Sequence, residues 1–357
     1  MGAMGPGAQP VFAPAEPPAG SLVARYASAT RTELARYLAI EGHAPFLGEL
    51  MADYPARGGK MMRSAICIAN ARIFGDRLGE DYAPAIRCGA AIEMLHNALL
   101  IHDDVQDGSE ERRGRPTLHA MHGVPLAINA GDALMFSAFQ PLLDAVRPLG
   151  TDVARQVLEV TITMARHTAE GQALELGWRD RNVTDLTEAD YLQMALKKTA
   201  WMGMIWPAQL GVIIGSGGDI DPGCVLRFGY FLGLAFQIED DLRNLAADPG
   251  YGKERNGDLR EGKRTLMLIH ARRACTKAER ERLDGFMGQP RPARTDEDVT
   301  WLAGLMQECG SVGHARQVAQ SMAGAAQHEF SVAYAGQPAS EDLDYLAGLP
   351  SWVFSRP

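Results

Sequence analysis

The chain has 357 residues, 46% of them hydrophobic, and a formal net charge of −9. This length allows a sizeable core, and the acidic balance argues against a nucleic-acid binder, which would need a basic face to neutralise phosphates. No apolar run reaches the roughly 20 residues of a membrane-spanning helix, and five cysteines without a CxxC pair indicate neither a disulfide framework nor a zinc site, so we expect a cytoplasmic protein.

The N-terminal residues differ in composition from the rest of the chain. Residues 1–20 are mostly Gly, Ala and Pro, and they have neither the basic start nor the apolar stretch of a signal peptide. We therefore interpret them as a disordered tail. Residues 21–357 contain no repeat of fixed period and no further shift in composition, which predicts a single domain.

Apolar residues recur at helical spacing along this whole region, and no run alternates as a β-strand would. The pattern predicts an all-α protein built as one large helical bundle. Thr187, with Asp190 three residues later, resembles a capping box that starts a helix. The charged, proline-bearing residues 276–297 are interpreted as a surface connection. Other predicted connections, marked by Gly, Pro and Asp, are residues 57–59, 108–116, 148–150, 215–222, 249–257 and 289–294.

Basic residues form compact clusters in this chain of net negative charge. The first is Gly58-Gly59-Lys60-Met61-Met62-Arg63, where glycine allows the backbone to close on an anion and a guanidinium matches phosphate oxygens. Ordinary surface solubility is the alternative for each cluster, and we keep that interpretation for Arg115, Arg260 and Arg264. The remaining clusters are Arg112-Arg113-Gly114-Arg115, Lys197-Lys198-Thr199, and Lys253 with Lys263.

The segment Asp103-Asp104-Val105-Gln106-Asp107 follows an apolar helical stretch. Because each residue of a helix advances about 100°, Asp103 and Asp107 fall on one face, with His96 near the same line. Carboxylates one helical turn apart suit magnesium, which prefers oxygen ligands and also takes phosphate oxygens and water. The segment therefore predicts a magnesium and phosphate site at the end of an apolar wall.

A second segment repeats this arrangement. Gln237, Asp240, Asp241 and Asn244 have the spacing i, i+3, i+4, i+7 and form one polar stripe on an otherwise apolar helix. An unpaired buried carboxylate is very costly, and a metal shared with the first segment would satisfy both. A single DDxxD is equally explained as a solvated helix turn. Two copies that each end an apolar helix instead favour a binding site for a magnesium-chelated diphosphate.

In their order along the chain these segments resemble the motifs of trans-isoprenyl diphosphate synthases of the polyprenyl synthetase family. The resemblance runs from about Leu22 to the C terminus and rests on GGKMMR, HNALLIHDDVQDGSEERRGRPT, KKTA, FQIEDDLRN and GKERNGDLREGKRT. It implies the isoprenoid synthase fold, a helical bundle around a central apolar cavity, in a homodimer. One departure is Asn244, where many members have a third aspartate, so we do not count it as a metal ligand.

The resemblance also implies a role for each motif residue. The diphosphate of isopentenyl diphosphate would be held by Lys60, Arg63, His96 and Arg113, and that of the allylic substrate by Arg112, Lys198, Lys253 and Lys263. Three magnesium ions would be bound by Asp103, Asp107 and Asp240, and Asp104 and Asp241 would support the waters of the metals and basic neighbours. The position where positive charge develops would be lined by Thr199 and Gln237.

The mechanism that the resemblance implies is magnesium-assisted and electrostatic. The allylic carbon–oxygen bond ionises, the isopentenyl double bond attacks the cation, and loss of a proton leaves an all-trans diphosphate five carbons longer. Ala98 and Leu99, about one turn before Asp103, would form the floor of the product tunnel. Because family members that stop at C15 often carry bulky aromatic residues there, Ala98 predicts a longer product, geranylgeranyl diphosphate.

Other functions stay open at this point. A farnesyl or a longer polyprenyl product would follow from a different tunnel depth. A class I terpene cyclase has similar acidic helices but would not need Lys60, Arg63 and Arg113 together, and a non-catalytic synthase subunit would tend to lose one acidic motif. Because the chain retains all of these features, we expect a prenyltransferase.

Overall fold

The structure is a computed structural model that describes residues 21–39, 45–75, 82–246 and 256–355. Almost all regular structure in these ranges is helical, which confirms the predicted all-α fold. Residues 1–20, predicted to be a disordered tail, and Lys253 lie outside the described ranges. None of the described helices is both long and apolar enough to cross a membrane.

The helices follow one another with short connections. The first are α1 (Leu22–Leu38), α2 (Gly48–Ala56), α3 (Met62–Ile73), α4 (Ala83–Asp107), α5 (Leu118–His122), α6 (Val124–Ser137), α7 (Phe139–Val146) and α8 (Thr151–Asp180). The later ones are α9 (Glu188–Ala195), α10 (Trp206–Ser216), α11 (Leu226–Ala246), α12 (Gly257–Glu261), α13 (Leu266–Ala274), α14 (Lys277–Met287), α15 (Asp296–Glu308), α16 (Ser311–Ala333) and α17 (Glu341–Ser355). A π-helix, Leu196–Ile205, joins α9 to α10, and two short antiparallel strands, β1 (Glu111–Arg112) and β2 (Arg115–Pro116), form a hairpin after α4.

Helix α4 is the central element of the bundle. Its residues 88–95 are buried without a break, and a helix that is buried on all sides belongs to a core rather than to a surface. It packs against α1, α3, α6, α7 and α10. Apolar neighbours therefore hold in place the helix that ends in the first acidic segment.

Two apolar clusters hold the helices together, and α11 belongs to both. The first cluster includes most of α3, α4 and α10, and the second includes α9 and α13 to α16. Leu232 of α11 is buried in the first cluster and Leu234 in the second. Residues two apart on a helix point to different sides, so α11 contacts both clusters. The second acidic segment, which is part of α11, therefore lies along the boundary between them.

Local signals in the sequence marked several helix ends correctly. Residues 57–59 and 108–116 lie between helices, as predicted. The capping box at Thr187 is present, with the Thr187 hydroxyl accepting a hydrogen bond from the backbone N–H of Asp190. These features depend only on neighbouring residues, which explains why they could be predicted.

The interpretation of residues 276–297 as a surface connection was wrong. Thr276 and Glu279 form a second capping box, which starts α14. Leu283 and Phe286 are buried on the inner side of this helix. Charged residues between the apolar positions concealed their helical spacing.

Candidate active site

Three carboxylates meet where α4 ends. Asp103 and Asp107, one turn apart on α4, and Glu175 of α8 each offer an oxygen within 4.8 Å of the oxygens of the other two. Gly108 then ends α4 in the left-handed conformation, with φ 62°, which glycine adopts without strain. We call Asp103, Asp107 and Glu175 the acidic triad. Oxygen ligands at this spacing fit a magnesium ion.

Glu175 was not predicted as a site residue. It lies on the buried side of α8 at helical spacing from Thr168 and Gly171, and an acid at such a position needs a partner, so a signal was present. Asp240, the third predicted metal ligand, is half-buried on α11 and lies outside the acidic triad, and its charge acts on Arg63. Its role as a metal ligand stays a prediction.

Two of the predicted phosphate-binding lysines contact the acidic triad. Lys198 Nζ lies 3.2 Å from Asp103 Oδ1 and also contacts Glu175, and Lys263 Nζ lies 3.2 Å from Asp107 Oδ2. Burial acts to lower the pKa of Lys198, but Asp103 and Glu175 raise it above its usual value. Burial raises the pKa of Asp107 to about 6, against the opposing charge of Lys263. The triad and the lysines thus form one charged cluster.

Two further side chains of α8 hold the triad, and neither was predicted. Gln172 Nε2 donates to Asp103 Oδ1 at 3.2 Å. Arg179 Nη1 lies 2.5 Å from Asp107 Oδ1, whereas the contact of Lys263 is with Oδ2. Both carboxylate oxygens of Asp107 are therefore in ion pairs, and α8 forms one wall of the site.

The hairpin after α4 brings Arg112 back to the acidic segment. Arg112 Nε lies 3.0 Å from both carboxylate oxygens of Asp104, and the Tyr54 hydroxyl donates to Asp104 Oδ2 at 2.5 Å. Asp104 is fully buried, and Arg112 is its charged partner. Arg113 and Gly114 have φ values of 54° and 69°, as a two-residue turn between antiparallel strands requires.

The turn between α2 and α3, which we call the basic turn, carries Lys60, and Arg63 follows in the first turn of α3. Met61 within it has φ 48°, and the left-handed conformation of a residue other than glycine is strained in a way that is common at functional sites. Arg113 reaches the same turn, where it donates to the carbonyl of Gly58. A Cβ at Gly59 would lie 3.4 Å from the guanidinium of Arg113, about a van der Waals distance, so Arg113 lies directly beside this turn.

His96 lies beside these cations on α4. Burial, and then the charges of Arg63, Arg113 and Arg112, hold the pKa of His96 well below its usual value, so the imidazole is neutral near pH 7. Glu93, one turn earlier and 5% exposed, interacts electrostatically with Arg63 and Arg113 and was not predicted. The residues predicted for isopentenyl diphosphate therefore lie close together.

Hydrogen bonds connect the second acidic segment to the π-helix. Thr199 Oγ1 donates to Gln237 Oε1 at 2.5 Å, and Gln237 Nε2 donates to Asp241 Oδ1 at 2.7 Å. Asp241 also accepts a hydrogen bond from the Tyr191 hydroxyl at 2.7 Å, and burial raises its pKa well above the usual value. Three predicted residues thus form one continuous chain of hydrogen bonds.

Asn244, the last residue of the second segment, has a structural contact. It is 2% exposed, and its Oδ1 accepts a hydrogen bond from the backbone N–H of Asp258 at 3.1 Å. The amide thereby joins α11 to the start of α12.

The π-helix is closely packed between α8 and α11. A Cβ at Gly171 of α8 would lie 2.2 Å from the backbone nitrogen of Lys198, and a Cβ at Gly233 of α11 would lie 2.3 Å from Ala200 Cβ. No side chain fits at such distances, so glycine is required on both sides. Lys198 and Thr199 lie in this π-helix, and π-helical turns often occur at functional sites.

Of the three arginines assigned to surface solubility, Arg264 was assigned wrongly. It is 4% exposed and donates to Asn182 Oδ1 at 2.7 Å and to the carbonyl of Gly262. Burial lowers its pKa to about 10. Arg115 and Arg260 make ion pairs with Asp53 and Asp296, and neither is buried.

Comparison with known proteins identifies the family. The profile of the polyprenyl synthetase family matches residues 44–305. The chain is 37% identical over 243 residues to a geranylgeranyl diphosphate synthase of Sulfolobus acidocaldarius, which covers 68% of this chain and 72% of that protein. It is 33% identical over 265 residues to a geranylfarnesyl diphosphate synthase of Aeropyrum pernix, which covers 74% of this chain and 80% of that protein.

A solved structure supports the same assignment. The crystal structure of a Caulobacter crescentus polyprenyl synthase, complexed with calcium and isoprenyl diphosphate, superposes with a TM-score of 0.80 at 28% identity. The superposition covers 94% of this chain and 97% of that one. The chain therefore belongs to the polyprenyl synthetase family.

Proposed function

We propose that the protein condenses isopentenyl diphosphate with an allylic diphosphate and so makes an all-trans prenyl diphosphate longer than C15, namely geranylgeranyl diphosphate. The observation that carries this proposal is the acidic triad in contact with Lys198 and Lys263. Carboxylates that chelate magnesium, beside cations that pair with phosphate oxygens, form a site for a magnesium-chelated diphosphate. The basic turn with Arg113 offers a second anion site, as a reaction between two diphosphates requires.

Magnesium fits the acidic triad because all of the ligand atoms are carboxylate oxygens within 4.8 Å of one another. We propose that three ions are held by Asp103, Asp107 and Asp240, with Glu175 as an additional acid. When bound, magnesium neutralises the diphosphate and makes it a better leaving group. Because its pKa is raised to about 6, Asp107 is largely ionised near pH 7 and would become a poorer metal ligand as the pH falls toward that value.

Cations of the chain itself stabilise the departing allylic diphosphate. We assign this role to Arg112, Lys198 and Lys263, together with Lys253, which lies outside the described residues. Arg112 is already held by Asp104, so little reordering accompanies the reaction. The oxygen atoms of Thr199 and Gln237 offer dipoles to the allylic carbon as it becomes positive.

The second diphosphate is assigned to Lys60, Arg63, His96 and Arg113. A neutral His96 donates one hydrogen bond to a phosphate oxygen without adding to the repulsion among the cations. Glu93 offsets part of that positive charge. The chain needs no general base in this scheme, because the pyrophosphate that is released can accept the proton.

We propose that residues before Asp103 on α4 limit the length of the product chain. Ala98 is fully buried and Leu99 is partly exposed. We propose that the growing chain passes these two positions and that the small side chain of Ala98 leaves room beyond C15. The relatives compared above are named for geranylgeranyl and geranylfarnesyl diphosphate, which supports a product of this length.

We propose that the protein is a homodimer formed through α6, α7 and α8. Phe139 and Leu143 lie one turn apart on α7, Leu158 and Ile162 lie one turn apart on α8, and α7 packs against α8. Large exposed apolar groups of this kind mark interaction surfaces. The exposed apolar side chains on the three helices are Val124, Leu126, Ile128, Phe136, Phe139, Leu143, Leu158 and Ile162.

We also propose a cytoplasmic location. All five cysteines are free thiols. Cys67 and Cys88 are both fully buried and their thiols interact, yet they do not form a disulfide. Neighbouring thiols that stay reduced suit a reducing compartment.

One assay tests the proposed reaction. The purified protein is given magnesium, isopentenyl diphosphate and one allylic starter at a time, and the products are identified by mass spectrometry. We expect geranylgeranyl diphosphate. Release of pyrophosphate and a hydrocarbon without isopentenyl diphosphate would identify a cyclase instead, and no product from any starter would identify a non-catalytic subunit.

Two substitutions test the metal assignment. Asp103→Ala and Asp240→Ala should each lower kcat by about 100-fold or more, because each removes a ligand that acts on charge developing in the transition state. Asp152→Ala, in the exposed first turn of α8, is the control and should keep wild-type kcat. Full activity in either site variant would refute the assignment of that aspartate.

A further inference from the structure

The C-terminal helix α17 lies along α3, the helix that begins directly after the basic turn. Near the start of α17, Asp342 accepts a hydrogen bond from Arg72 Nε at 2.9 Å, at the C-terminal end of α3. Near the end of α17, the Trp352 ring lies 5.4 Å from Lys60 Nζ, just before α3 begins. The ten-residue steps from 342 to 352 in α17 and from 62 to 72 in α3 each span about 15 Å, and Lys60 lies two residues before α3. The two contacts therefore set an antiparallel register.

This end of α17 is fixed to the core. Leu349 and Val353, which flank Trp352 on the helix, are 3% and 1% exposed. Tyr26 of α1 donates a further hydrogen bond to Asp342 at the other end. The Trp352 ring is thus held by packing at both ends of its helix, while Lys60 is on a turn and has a long flexible stem.

We infer that Trp352 is a positioning residue that holds the Lys60 ammonium where the diphosphate of isopentenyl diphosphate binds, an inference that rests on the proposed function. Tryptophan is the strongest aromatic partner for a cation, and the observed separation is within the range of a cation–π contact. Ordering the stem of Lys60 before the substrate arrives removes an entropic penalty from binding.

The Trp352 ring differs in chemical nature from the carboxylates that contact the lysines at the acidic triad. Lys198 and Lys263 are paired with carboxylates, which neutralise part of their charge. An aromatic face attracts a cation through its quadrupole but carries no net charge. Trp352 therefore orients Lys60 without itself neutralising any of the charge that attracts a diphosphate.

Steady-state kinetics of full-length variants test this role. Trp352→Leu should raise KM for isopentenyl diphosphate about three- to tenfold, the size expected for loss of a partly desolvated cation–π contact, and leave kcat and KM for the allylic substrate unchanged. Trp352→Phe keeps a ring, so its KM should lie between those of the leucine variant and the wild type. Phe354→Leu is the matched control, because Phe354 lies on the same helix and is 40% exposed, and it should change neither KM.

A double-mutant cycle shows whether Trp352 acts through Lys60. Lys60→Met should raise KM for isopentenyl diphosphate, and adding Trp352→Leu to it should raise KM no further. An equal rise in both KM values, or an additive effect in the double variant, would overturn the role of Trp352. Thermal unfolding of each variant is measured first. If the leucine variant is unstable, Trp352→Phe is compared with the wild type instead, and an unchanged KM for isopentenyl diphosphate would overturn the inference.

Calorimetric binding of isopentenyl diphosphate separates this inference from the proposed function. A wild-type chain that binds the substrate but forms no product would refute the proposed reaction alone. Equal Kd values for wild type and Trp352→Leu would refute the role of Trp352 alone. We expect product formation by the wild type and a weaker Kd for the leucine variant, by the same factor as its KM.

Discussion

At the scale of single residues, His96 lies among Arg63, Arg112 and Arg113 without a charge of its own. Burial and the three neighbouring cations keep its pKa well below the usual value, because a fourth positive charge would be poorly solvated and repelled. A neutral imidazole still has one N–H donor. A side-chain amide has the same kind of donor and also carries no charge.

His96→Gln should therefore keep KM for isopentenyl diphosphate within about threefold of wild type, whereas His96→Leu should raise it about tenfold by removing a hydrogen bond to a charged group. Because the folded pKa is lowered well below its usual value, His96 is neutral at neutral pH and above, so wild type and the glutamine variant should show parallel KM profiles from neutral pH upward. A loss of affinity with rising pH in the wild type alone would show that a charged His96 binds the substrate.

At the scale of elements, the position of the π-helix depends on glycines of its neighbours. Gly171→Ala places a Cβ 2.2 Å from the backbone of Lys198, and backbone atoms cannot move aside as a flexible side chain can. We expect a Tm lower by several degrees and a higher KM for the allylic diphosphate, because Lys198 is displaced.

Gly177 of the same helix offers the matched control. A Cβ there would have nothing within 4 Å, and alanine is the better helix former. Gly177→Ala should keep or slightly raise Tm and leave KM unchanged, as measured by thermal unfolding and initial rates. Equal effects of the two alanine substitutions would contradict the requirement for close packing at Gly171.

Helix α4 carries the prediction for product length. Ala98→Phe should shift the products toward farnesyl diphosphate, because a ring at this position would block further growth of the chain. The substitution also overpacks a fully buried position, which lowers the amount of active enzyme but not the ratio of its products. Mass spectrometry of the product mixture measures that ratio, and an unchanged ratio would exclude Ala98 as the tunnel floor.

At the scale of the whole molecule, the exposed apolar side chains of α6 to α8 lead to the proposed dimer. Ile162→Asp places a charge on this surface and should shift the sedimenting mass from dimer to monomer, because burying an unpaired carboxylate in an interface is costly. Val332→Asp on α16 is the control, since both original side chains are 59% exposed. A wild-type monomer, or the same mass for both variants and the wild type, would contradict the proposed interface.

Patterns local in sequence were sufficient to predict much of this protein. Helical periodicity predicted the all-α class, and the spacing of Asp103 and Asp107 placed them on one helix face. The capping box at Thr187 is likewise set by residues three apart. Periodicity failed at α14, where charged residues separate the apolar positions.

Contacts between distant parts of the chain were decided by the tertiary structure. Glu175 joins Asp103 and Asp107 from another helix, Tyr54 and Tyr191 hold Asp104 and Asp241, and Trp352 reaches Lys60 from the last described helix. No spacing within the sequence encodes such pairs, because they depend on how whole helices pack. The sequence by itself determined the helical class and the chemical groups of the site, and only helix packing decided which buried partner each group has, since a polar group buried away from water must find its partner in the fold.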